Sequence, residues 1–146
     1  MFPDEKVFGI QAITIGNDIY FAPNRLNFSD EGIALIAHEL LHVKQYKDMG
    51  GKGEFLKQYF KEFKERIEDQ IGPLNDFPVF PEAGAQGPGV GEFAPYLAKL
   101  GAYAAGLTGV DFGKANREIS FERAGYEFGD KVDAKLKASG NPCLNR

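Results

Sequence analysis

Apolar positions recur along this chain with two periods, and the switch between them marks its elements. Val7 to Ile15 and Asp18 to Ala22 are rich in Ile, Val, Phe and Tyr. Gly16-Asn17 between them favours a two-residue turn, so a β-hairpin is predicted. After a loop over Pro23 to Phe28 the spacing becomes helical. Ser29 or Asp30 can cap the first helix, because a short side-chain oxygen accepts from first-turn amides that lack a partner within the helix. That helix should run to about Asp48 and end at Gly50-Gly51, where glycine takes the left-handed conformation without a Cβ clash. A second helix is predicted over Glu54 to Asp69, with Phe55, Tyr59, Phe63 and Ile67 on one stripe and a solvated charged face opposite. A third, Glu92 to Ala105, carries Phe93, Leu97, Leu100 and Tyr103. The fourth, Ser120 to Ala138, carries Phe121, Ala124, Phe128, Val132 and Leu136. From Ile71 to Glu92 proline and glycine alternate too densely for any regular element. A loop of that length either covers a functional cleft or is mobile.

Composition narrows the class. With 146 residues, 43% hydrophobic and 26% charged, the chain reads as one domain able to close its own core, and disordered, collagen-like and coiled-coil classes are excluded. The fold class expected is α+β, mainly helical, with a small antiparallel sheet packed on the first helix. A net charge of -4 without a dense Lys/Arg cluster makes nucleic acid a poor partner. The single cysteine, Cys143, cannot form an internal disulfide. The first residues, MFPDEKVFG, carry neither the basic nor the apolar region of a signal peptide, and no apolar run is long enough to span a membrane. The compartment is left open.

The chemistry lies in the first helix. Ile33 to Val43 is apolar except for His38, Glu39 and His42. A helix apolar nearly all round is expected to be buried and central, and polar groups buried there without partners cost about 1–3 kcal/mol each. HELLH is the HExxH pattern: residues four apart lie about 40° apart around a helix, so both imidazoles face one point. A zinc ion there would take one nitrogen from each ring, and Glu39, beside the first ligand, could take the proton of a water activated at the ion. With two histidines in the whole chain, chance gives this arrangement on the order of one time in a thousand.

A catalytic zinc usually has a third protein ligand, which here must be a carboxylate. Asp48 follows His42 by six residues, but helical continuation carries it too far along the axis. Glu122, in the first turn of the last helix, is better placed, with Glu127 and Glu118 as further possibilities. Gly125 and Gly129 in that helix each cost about 1 kcal/mol against alanine, a penalty that close approach to another backbone would justify. A donor for a developing oxyanion could be Tyr126, Tyr103 or Arg123; Tyr126, one turn from Glu122, leads.

Three segments, ITIGNDIYFAP, IALIAHELLHVKQY and SFERAGYEF, together resemble the bacterial zincin-like metallopeptidase domains often attached to toxin or injection-system proteins. The resemblance implies a glutamate-type zincin holding Zn2+ with His38, His42 and Glu122, with Glu39 as general base. It also implies a peptide or protein substrate that pairs with the strand Ile19 to Phe21. Departures at Gln45-Tyr46 and Ala124, where such domains often have a Gln pair and a second Glu, leave the ligand set intact. Two other classes fit the same residues: a zincin-like binding or delivery module with weak or no activity, and a metal-free helical interaction protein whose histidines are internal hydrogen-bond donors.

Overall fold

A computed structural model describes residues 11–82 and 87–144. The protein is α+β and mainly helical, with one two-stranded antiparallel sheet among the described residues. The chain divides into two compact units, residues 1–45 with 120–146, and residues 46–119.

In the first unit the hairpin pairs β1 (Ala12–Ile15) with β2 (Asp18–Phe21), Ile15 opposite Asp18 across the turn. Gly16 takes φ 68°, the left-handed value that a tight hairpin turn asks of its first central residue. The expected strand residues Val7 to Ile10 lie outside the described residues. Strand alternation puts Ala12, Thr14, Ile19 and Phe21 on one face, where Thr14 is buried. Helix α1 (Asp30–Asp48), whose residues 46–48 are counted with the second unit, begins at Ser29, whose Oγ accepts from the Gly32 amide at 3.1 Å. Gly50 and Gly51, at φ 82° and 135°, close the turn that ends it. The last helix of this unit, named α5 below, is Ser120–Ser139.

Burial in this unit departs from apolarity. In α1 the buried residues include His38, Glu39 and His42, whereas Leu40 is 54% exposed and Ile33 to Ala37 are half-buried. In α5 the buried residues are Gly125 and Gly129, while Phe128 on the expected stripe is exposed. Among the described residues the hairpin and α5 meet α1 at its polar turn, through Thr14 against Glu39 and Gly125 against His38. The glycines set the line of approach: a Cβ at Gly129 would lie 3.0 Å from the Ala34 carbonyl oxygen.

The second unit contains α2 (Lys52–Ile71), α3 (Val90–Ala105) and α4 (Phe112–Glu118). Phe55, Leu56, Phe60, Phe63 and Ile67 of α2 are buried, as are Phe93, Tyr96, Leu100 and Ala104 of α3. Helix α4 has no forerunner in the sequence pattern. Asp111 caps it, accepting from the Lys114 amide at 2.8 Å, and the Gln70 side chain bonds both the amide and the carbonyl of Asp111. The described part of the Pro/Gly loop is packed: Phe80 stacks on Phe60 at 5.4 Å between centroids, and the Tyr103 hydroxyl donates to the Asn75 carbonyl at 2.6 Å.

Candidate metal centre

His38 and His42 stand one turn apart on α1, and their Nε2 atoms lie 3.0 Å from each other. Glu122, in the first turn of α5, brings Oε2 to 2.9 Å from His38 Nε2 and 3.5 Å from His42 Nε2. One donor atom from each residue thus lies within 4.8 Å of the other two. Donors around a tetrahedral zinc with bonds of about 2.0–2.1 Å are about 3.3 Å apart, so this triangle has the size such an ion needs. Both histidines are 4% exposed and the Glu122 side chain 12%. Three atoms able to donate lone pairs, turned onto one point away from water, suit a divalent cation.

The charges respond to this crowding. Burial pushes Glu122 up, but its bonds with His38 and His42 and their charge reverse this and hold it at about 2. Burial likewise pushes His42 down, and Glu122, by hydrogen bond and charge, carries it above the ordinary histidine value. Glu39 is raised by burial, against the pull of Thr14 and the two histidines.

Glu39 is 3% exposed, and its Oε1 lies 4.0 Å from His38 Nε2. Thr14 on β1 donates to its Oε2 at 2.6 Å, so one carboxylate oxygen is tied to the hairpin and the other faces the histidines. Gly125 lies under the His38 ring: a Cβ there would come within 2.8–2.9 Å of Cε1, Nδ1 and Nε2, closer than real contacts allow. Tyr126, the next residue, meets the same ring edge-on, centroids 4.6 Å apart at 73°.

Of the acids weighed as third ligand, Glu122 is the one placed with the histidines. Glu127 is exposed on α5, and Asp48 and Glu118 belong to the other unit, where Glu118 pairs with Lys114 at 3.9 Å. Arg123 is exposed. Sequence reasoning assigned no role to Thr14, whose one signal is being polar on the inward face of the hairpin, nor to Gln45. Gln45, one turn beyond His42, places Oε1 2.7 Å from His42 Nδ1 and Nε2 3.5 Å from the Phe121 carbonyl oxygen.

The family model of the eCIS core domain (extracellular contractile injection system core) matches residues 4–50. The match takes in the hairpin and all of α1, with His38, Glu39 and His42, but not Glu122. No curated protein and no solved structure matches the chain. No helix among the described residues is long and apolar enough to cross a membrane.

Proposed function

We propose that this chain is a zinc-dependent metallopeptidase of the zincin-like, glutamate-ligand kind. The observation that supports it most is the buried His38–His42–Glu122 triangle with a second buried carboxylate, Glu39, 4.0 Å from one corner. His38, His42 and Glu122 would hold the ion. Bound zinc would polarise a peptide carbonyl and lower the pKa of a water molecule. Glu39, its proton affinity raised by burial, takes a proton and passes it to the leaving amine, with Oε1 as the working oxygen because Thr14 occupies Oε2. Tyr126 supplies a hydrogen bond to the developing oxyanion, and the Ile19 to Phe21 edge pairs with an extended peptide or protein substrate.

Zinc content and cleavage of an unfolded protein test this together. Wild type should hold one zinc per chain and Glu122→Ala should lose it. Glu39→Gln should keep zinc and cleave about 100- to 10,000-fold more slowly. Equal cleavage by Glu39→Gln, or cleavage in the absence of zinc, rejects the mechanism.

The family match favours a second reading, since its description names an injection-system core and no enzyme. On that reading the domain keeps its metal as a binding or delivery module, associated with a toxin. Stoichiometric zinc without turnover across a broad peptide library would select it.

A further inference from the structure

Gln45 stands between the two helices that carry the proposed ligands, and its amide touches a group from each. The Phe121 carbonyl can only accept a hydrogen bond, so the amide must turn its NH2 toward that oxygen, 3.5 Å away. Its Oε1 is then the atom 2.7 Å from His42 Nδ1. An amide oxygen only accepts, so Nδ1 must carry the hydrogen. In a neutral imidazole that leaves the lone pair on Nε2, the nitrogen 3.0 Å from His38 Nε2 and 3.5 Å from Glu122 Oε2.

We propose that Gln45 is a positioning residue that locks His42 in the Nδ1–H tautomer and ties this lock, through the Phe121 carbonyl, to the turn presenting Glu122. The part concerning metal affinity rests on the zinc reading; the tautomer does not. A ligand whose tautomer is fixed beforehand binds without first shifting a proton, and losing such a partner typically costs about 10- to 100-fold in metal affinity.

Long-range 1H–15N NMR of the metal-free protein at alkaline pH reads the tautomer directly, and competition with a chelator reads zinc affinity. Wild type should show His42 protonated at Nδ1. Gln45→Glu, which keeps an acceptor, should preserve that tautomer and bind zinc within a few-fold of wild type. Gln45→Met, which keeps length but no acceptor, should shift the His42 proton toward Nε2 and bind zinc about 10- to 100-fold more weakly. An Nε2–H tautomer in wild type overturns the proposal whatever the variants do, as does Gln45→Met with unchanged tautomer and affinity. If Gln45→Met does not fold, wild type and Gln45→Glu still decide. If wild type binds no zinc yet His42 is Nδ1–H, the metallopeptidase reading fails and the lock stands.

Discussion

Among the described residues the two units have opposite interiors. In residues 46–119 the buried side chains are apolar or aromatic, from Phe55 and Leu56 through Phe60, Phe63 and Ile67 to Ala115 and Ile119. The buried polar residues of the described chain, Thr14, His38, Glu39, His42 and Asn141, all fall in the other unit, where the buried hydrophobic residue is Ala22. An apolar interior is stabilised by removing its surface from water and needs nothing more. A polar interior depends on every group having a partner, and its net stabilisation per hydrogen bond is only about 1 kcal/mol. The first unit is therefore the one whose stability should follow metal and pH, and the second the one that should follow packing.

Phe60→Ala tests the packed side. Phe60 meets Phe80, Phe93 and Tyr96, so truncation should cost about 3–5 kcal/mol, read as lost amide protection in residues 46–119, with zinc stoichiometry retained. Zinc tests the other side. At a free concentration 100 times Kd it should stabilise the folded state by about 2.7 kcal/mol, read as increased protection at the amides of α1 and α5. An equal rise throughout both units would erase the distinction.

Acid should separate the units in the metal-free protein. Glu122 is held at about 2 against an ordinary 4.5, so its contribution is present above the unfolded value and is lost as pH falls from about 5 toward 2. His42 is raised, so its contribution is complete below the ordinary 6.5 and fades as pH rises through the folded value. Glu39 is raised as well, so its contribution, complete below the ordinary 4.5, fades as pH rises through its folded value. Protection in α1 and α5 should thus peak near about pH 5 and fall on the acid side by on the order of 2 kcal/mol. In the second unit the lowered carboxylate is Glu68, on the solvent-facing side of α2, and its interior should titrate little over that range.

How far the sequence carries depends on how local each feature is. HELLH is legible because helical geometry alone turns residues four apart onto one face, and the hairpin and the glycine stop after Asp48 are equally local. Glu122 is legible from its first-turn position and the glycines that follow, one of which lies against His38. Thr14 is not: its partner Glu39 is 25 residues away, and its one local signal, a polar residue on the inward face of β1, does not say which group it serves. Helix α4 escapes for the same reason, being seven residues with Gly113 inside, anchored by Gln70 from 41 residues earlier. The apolarity of α1 misleads in the opposite direction, because hydrophobic composition reports what could be covered and Leu40, half exposed, shows what is not.

The smallest expected effect is the sharpest test of the second unit's character. Tyr96 is 4% exposed, and among the described residues its hydroxyl has no hydrogen-bond partner; burial also pushes its ionisation well above the ordinary value. Its ring is held edge-on by Phe60 and Phe80, at 5.0 and 5.2 Å between centroids. Tyr96→Phe would keep those contacts while removing a buried polar atom that costs free energy unpaired, so the variant should be between neutral and about 1 kcal/mol more stable in chemical denaturation. A loss of more than about 1 kcal/mol would mean that the hydroxyl is satisfied in solution, by ordered water for instance. The interior of residues 46–119 would then contain a polar requirement of its own, and the contrast with the histidine-lined unit would be one of degree.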